Sequence, residues 1–312
     1  MSDSVREFSE FRYPRQMLGE QEYDGHLSIH DDRMAEDLGF SGAPIEGPTH
    51  FSQFVHLLQG YFGDVWFERG CISSHYQNMV VEGEEVRAFI EVPSERADLI
   101  RIGSEKRDGT PVLTGTASIG PDYGDTEIDQ RLARLRPVEQ LVILSELSVG
   151  QQGAGNPEDA IMDHDQNMGA LYPFSLNEKL ERITETHDYY LSEFSSASPW
   201  QRPIVPLEMI SVLASYNNQA GFKTRGPAVG LFAGQEIRMI KGPLFVGHPY
   251  KIEREIVALS ESRRTESNWI RSNIYDAENG DLTCTMVLNS ATLKDSYANY
   301  DQDAKALSKV QT

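Results

Sequence analysis

Apolar positions Phe51, Phe54, Val55, Leu57 and Leu58 recur at helical spacing after the segment Pro44-Ile45-Glu46-Gly47-Pro48. The pattern predicts one buried helix over 48–60. Shorter runs bounded by turn residues follow, and they predict strands over 71–80, 84–93, 98–106 and 111–119. Glu82-Gly83 and Asp108-Gly109 mark the turns between them, the second being a hairpin dipeptide. The plan then returns. A helix is predicted over 207–220 (LEMISVLASYNNQA), then strands over 228–240, 249–260, 264–276 and 281–293, with Glu278-Asn279-Gly280-Asp281 as the last hairpin turn. One helix followed by antiparallel strands is an α+β pattern.

The second plan is a copy of the first. GCISSHYQNMVVEG (70–83) and GQEIRMIKGPLFVG (234–247) have equal length and glycine at both ends. Upstream, IHDDRMAEDLGFSGAPIEG (29–47) has a weaker echo in THDYYLSEFSSASPWQRPIVP (186–206). An offset of about 160 residues is too long for a solenoid repeat, whose periods are roughly 20–50 residues. The chain is therefore divided into an N-terminal arm (1–20), a first unit (21–123), a connector (124–170), a second unit (171–295) and a C-terminal tail (296–312). The connector contains a helical stretch around Pro137 and the loop GQQGAGNPED.

Composition narrows the function. A net charge of −20 over 312 residues argues against nucleic acid and against anionic membrane surfaces as partners. No apolar run reaches the roughly 20 residues of a membrane span, and the charged start MSDSVREFSEFRYPRQ has no apolar signal core. The two cysteines, Cys71 and Cys284, fall one in each half, so a disulfide framework is not expected and a cytoplasmic location is. No zinc-ligand spacing, phosphate-binding glycine loop or serine-hydrolase elbow occurs, and no metal is expected.

The segment IHDDRMAEDLGFSGAPIEG, the Pro-Ile step before the helix and the paired helix–strand units resemble the MaoC-like acyl-CoA hydratase/dehydratase group. The resemblance covers about residues 20–293 and implies a double hot-dog fold, each unit a long helix wrapped by a curved antiparallel sheet. It also implies reversible hydration or dehydration of an enoyl thioester, with coenzyme A or an acyl carrier as the substrate's handle and no other cofactor. A homodimer is implied as well. The group's segment Gly-Asp-x-Asn-Pro-aliphatic-His is incomplete, because Asp24-Gly25-His26-Leu27-Ser28-Ile29-His30 stands in its place. Ile29 and His30 match, and Asp24 is one position away from the group's aspartate.

Hydration of an α,β-unsaturated thioester needs a base for water, an acid for the α-carbon and a donor for the enolate oxygen. His30 is the candidate acid/base, and Asp24, Asp31 or Asp32 the assisting carboxylate. Its competing role is a solvated or capping histidine beside Asp31-Asp32. Gly47, opening the helix, is the candidate backbone donor, against a simple turn requirement. Its counterpart in the second copy is taken as Pro206, which has no N–H, so His187-Asp188 is read as structural. Glu46, His75, Arg202 and Arg238 are the candidate substrate-binding residues, with Arg69, Arg87 and Lys241 as further cations for a coenzyme's phosphates. Glu208 is read as a first-turn acid complementing the helix dipole, and His50 and His56 as packing residues. Two other readings remain open: a hot-dog thioesterase, and a biosynthetic lyase, cyclase or non-catalytic binder of a small hydrophobic acid.

Overall fold

The computed structural model describes residues 4–18, 29–30, 32–138, 140–169, 172–215 and 221–310. Its strands are β1 (Ser4–Phe8), β2 (Gly70–Tyr76), β3 (Val86–Pro93), β4 (Leu99–Lys106), β5 (Pro111–Ile119), β6 (Glu158–Ala160), β7 (Gly230–Met239), β8 (Tyr250–Glu261), β9 (Thr265–Asp276) and β10 (Leu282–Leu293). They form one antiparallel sheet in the order β1-β3-β4-β5-β2-β7-β10-β9-β8-β6. The first unit contributes β3-β4-β5-β2 and the second β7-β10-β9-β8, so the two join where β2 pairs with β7, from Cys71↔Arg238 to His75↔Gly234. This is the α+β double hot-dog architecture.

The hairpin turns fall at the expected glycines. Gly109 has φ +84° and Gly280 φ +77°, values that L side chains rarely adopt. In β8, Tyr250, Ile252, Arg254 and Ile256 are buried while Lys251 is exposed, the period-two pattern of a strand with one face inward. Register shifts at Asn289/Ser290 in β10 and Ile256/Ala258 in β8 interrupt the ladders, and such bulges increase local twist.

The central helices are shorter and more segmented than the apolar spacing predicts. The first begins as a 3-10 turn, Gly47–Phe54, continues as the α-helix Val55–Phe62 and ends at Gly63. Pro48 suits this start, because the first amides of a helix have no partner within it. Phe51, Phe54 and Leu58 are fully buried, each worth about 1.5–3 kcal/mol of apolar transfer. The second comprises the turn Leu207–Met209 and the α-helix Ile210–Leu213, and residues 216–220 of the predicted helix lie outside the described residues. The two opening turns pack against each other inside one core shared by both units.

The arm and connector are also structured. β1 extends the sheet by pairing with β3. The helix Glu127–Ala133, capped by Thr126, lies over the outer face of the sheet, where Ser73 Oγ accepts from Ile128 N at 2.9 Å. Further along, buried Glu266 accepts from Val142 N and Leu144 N at 2.9 and 3.0 Å and pins the apolar stretch 141–144 to the second unit. Among the described residues no helix is long and apolar enough to cross a membrane.

Candidate active site

A cavity of about 580 Å³ opens where the two helix starts meet. The first unit lines it with His30, Glu46, Gly47, His50 and Tyr76. The second unit lines it with Lys179 and Glu208 and with an apolar wall that includes Met209, Leu231, Met286 and Leu288. Arg254 also reaches the cavity, but it is tied to Glu158 at 2.8 Å and to Ala214 O at the end of the second central helix.

Gly47 is fixed by close approach rather than by its backbone angle. A Cβ at this position falls 2.6 Å from Tyr76 Cζ and 2.7 Å from Cε2. Tyr76 cannot yield easily, since its ring stacks on Phe51 and its hydroxyl donates to Gln235 Oε1 at 3.3 Å. Gly47 is the first residue of its turn, so its N–H belongs to the amides that a helix leaves without an internal acceptor.

His30 is placed by the same loop. Its Nδ1 lies 2.7 Å from Pro44 O. A nitrogen bonded to a carbonyl oxygen carries the proton, so the neutral ring has its basic lone pair on Nε2. Asp32 Oδ1 accepts from Ala43 N at 2.8 Å and holds the loop, which gives this candidate carboxylate a structural task. Asp24 and Asp31 lie outside the described residues. The carboxylate beside Gly47 is Glu46. Its Oε1 receives a long 3.4 Å bond from Met17 N, and its Oε2 is buried with no hydrogen-bond partner among the described residues.

A charged pair stands next to it. Lys179 Nζ and Glu208 Oε1 are 2.6 Å apart, and the two residues are 2% and 3% exposed. Burial alone lowers an ammonium's proton affinity, but Glu208 and then Glu46 outweigh it and Lys179 is raised. Burial pushes the Glu208 carboxyl up against the opposing pull of Lys179. His50 is pulled down to about 4 by burial, so it is neutral at pH 7. Burial also holds the Tyr172 hydroxyl firmly protonated, helped by Glu46 and Glu208.

Three of the sequence-derived binding residues are elsewhere. His75 does not line the cavity, because strand alternation turns Tyr76 inward and His75 to the outer face, beside the helix Glu127–Ala133. Arg238 is on the same outer face, bound to Asp129 at 2.6 Å and to Glu236. Arg202 is exposed, with its guanidinium 4.4 Å from the Phe245 ring centre. Of that set only Glu46 reaches the cavity.

The counterpart of Gly47 also needs correcting. Ile45 N donates to Val80 O and Val205 N to Leu244 O, while Thr49 N takes Glu46 O and Met209 N takes Pro206 O. Glu46 therefore matches Pro206, and Gly47 matches Leu207, which does have an N–H. The copies differ instead in what faces each turn. Gly47 lines the cavity together with His30, whereas Leu207 does not line it. Near the second, His187 bonds Gln59 Oε1 at 2.9 Å and stacks on His56, itself exposed, at 5.1 Å.

Lys179, His50 and Tyr76 were not among the residues expected at the site. Lys179 sits in the short capped helix Leu176–Leu180, and nothing local marks it. Tyr76 could have been found from the alternation that His75 obeys.

No family model matches the chain, and no curated protein matches it. Among solved structures it is similar to a MaoC domain protein dehydratase from Chloroflexus aurantiacus, with 14% identity, 91% of this chain and 94% of that one covered, and a TM-score of 0.54. It is similar also to a MaoC-like dehydratase, with 14% identity, 92% and 97% covered, and a TM-score of 0.53. The fold is that of MaoC-like dehydratases. A Mycobacterium tuberculosis protein described as a double hot dog overlaps 81% of this chain and 83% of its own at 12% identity and a TM-score of 0.49.

Proposed function

We propose that the protein is a hydro-lyase that reversibly adds water to an enoyl thioester. The observation that carries this reading is that His30, Glu46 and Gly47 all line one cavity, with His30 tied to the loop before Gly47 by its bond to Pro44 O. A thioester oxygen placed on the Gly47 N–H polarises the conjugated system. His30 Nε2 then takes a proton from a water that Glu46 also holds, and the water oxygen bonds to the β-carbon. The electron pair of the double bond moves to the thioester oxygen, forming an enolate held by Gly47. Return of the proton to the α-carbon completes addition, and the reverse sequence expels water. The apolar wall from the second unit is suited to the acyl chain.

Glu46 also supports a second reading, thioester hydrolysis, in which its unpartnered Oε2 directs water at the carbonyl carbon. Incubation with crotonyl-CoA separates the two. Hydration removes the enoyl absorbance without releasing thiol, and hydrolysis releases thiol. Release of thiol at the rate of substrate loss rejects the hydro-lyase reading, as does the absence of turnover across a series of enoyl chain lengths.

A further inference from the structure

The proposed chemistry leaves unused a polar pair in the wall of the same cavity. Lys179 and Glu208 both come from the second unit, on the capped helix Leu176–Leu180 and the turn Leu207–Met209. Both are almost fully buried, and both line the cavity along with the apolar Met209, Leu231, Met286 and Leu288 of that unit. Stability is a weak reason for such a pair, because taking two charges out of water offsets their attraction and apolar residues of similar volume do as well. The repeated fold does not need it either. The backbone pattern that matches Glu46 to Pro206 matches Pro48 to Glu208, so the first copy opens its turn without this carboxyl. The pair is also incompletely satisfied. Lys179 Nζ has three N–H bonds, and Glu208 Oε1, 2.6 Å away, is its single partner among the described residues. Glu208 Oε2 is buried with no hydrogen-bond partner among those residues. Ser52 approaches the carboxyl, but its one proton goes to Thr49 O at 3.1 Å. Leaving buried polar atoms unpaired is costly, so a cavity wall built this way is suited to a polar group on the ligand.

We propose that Lys179 and Glu208 form a subsite for a hydroxyl group on the acyl chain, so that the substrate class is a hydroxylated acyl thioester rather than a plain one. The inference rests on the reading of this cavity as an acyl-thioester site. A hydroxyl is neutral, accepts from the ammonium and donates to the unpartnered carboxyl oxygen, which accepts with or without a proton on the group. A carboxylate on the chain finds no free cation here. Lys179 is already paired with Glu208, and Arg254, the other cation in the lining, is held by Glu158 and Ala214 O. An ammonium on the chain meets Lys179 itself. A site built to bond a hydroxyl discriminates strongly against the chain that lacks one, because its own polar atoms are then left unpaired.

The test measures calorimetric binding of the full chain to the pantetheine thioesters of hexanoic acid, of its 4-, 5- and 6-hydroxy derivatives and of the six-carbon chain ending in a carboxylate. Pantetheine is the handle common to coenzyme A and acyl carriers, and saturated chains report binding without turnover. At least one hydroxylated chain is expected to bind the wild type about tenfold or more tightly than the plain chain. The pair deletion Lys179→Met/Glu208→Leu is expected to lose that preference. In Glu208→Gln, which keeps the side chain's shape, Lys179 loses its counter-charge, so the carboxylated chain is expected to bind about tenfold or more tightly than it binds the wild type. The proposal is overturned by equal wild-type binding of plain and hydroxylated chains, by tightest wild-type binding of the carboxylated chain, or by a hydroxyl preference that survives the pair deletion. If the pair deletion does not fold, Glu208→Gln decides, and an unmoved affinity for the carboxylated chain rejects the proposal. A hydroxyl preference in a protein that hydrates none of the matching enoyl thioesters upholds the subsite and rejects the hydro-lyase reading. Equal binding with turnover does the reverse, and binding of no chain rejects both.

Discussion

Gly47→Ala is the substitution whose consequence the structure sets most tightly. The added methyl meets Tyr76 at 2.6 Å (Cζ) and 2.7 Å (Cε2). Carbon atoms at rest sit about 3.5–4.0 Å apart, so ring or turn must shift by roughly 1 Å. The ring is held by Phe51 and Gln235, which leaves the turn, and with it the amide of residue 47, to take up part of the movement. Overpacking of this kind costs about 1–3 kcal/mol of stability. A misplacement of about 1 Å costs roughly 100-fold in rate, equivalent to about 2.7 kcal/mol on the barrier. The assay is the enoyl absorbance, with urea unfolding beside it. Tyr76→Leu removes the clashing ring atoms, so adding Gly47→Ala in that background is expected to cost less than about threefold. If Gly47→Ala costs the same factor with and without the Tyr76 ring, the close-approach argument is wrong. If it is silent in the wild-type background at unchanged stability, the role of the Gly47 amide fails with it.

Further predictions concern the acid side, the connector and the base. His50 binds its proton in the folded state only near pH 4, against about 6.5 unfolded, so the unfolded chain holds more protons between those values. Its contribution is intact above pH 6.5 and is lost as pH falls toward 4, by roughly 3 kcal/mol. Urea unfolding at pH 7 and pH 4.5 should show a smaller acid loss in His50→Asn than in wild type, and equal losses reject the assignment. Glu266→Ala strips acceptors from Val142 N, Leu144 N and the Tyr300 hydroxyl. It should lower stability by about 3 kcal/mol or more, with hydrogen exchange rising first at 141–144, and unchanged exchange there contradicts the pinning role. His30→Asn should lower kcat about 100-fold or more while leaving the urea midpoint within the error of wild type. An active His30→Asn enzyme removes His30 from the chemistry.

The order of elements was legible because it rests on local signals. The eight main strands fall within three residues of their predicted ends, except the first, whose predicted end at 80 runs past Tyr76 into the stretch that pairs with the helix-start loop. The internal repeat was legible for the same reason. Pro44 pairs with Val81 and Ile204 with Phe245, so the strand motif keeps its register while the upstream echo is displaced by one residue, Pro44 matching Ile204 rather than Pro203. His30 and Gly47, which both line the cavity, were also readable, since both fall within the segment 29–47. Helix length was not, because apolar spacing does not separate a 3-10 turn from an α-helix. His75, Arg202 and Arg238 lie away from the cavity for a different reason. Arg238 and His75 were chosen by nearness to the repeated strands, and a strand places neighbours on opposite faces. Lys179 could not be found at all, because only the packing of the second unit against the first brings it beside Glu46.

The most direct test of the account is the carbonyl stretch of a saturated acyl thioester, labelled with carbon-13 at the carbonyl and bound to the protein. A band shifted to lower frequency is expected in the wild type, returned toward the free position in Gly47→Ala. A band at the free-solution frequency in the bound wild-type complex would contradict it.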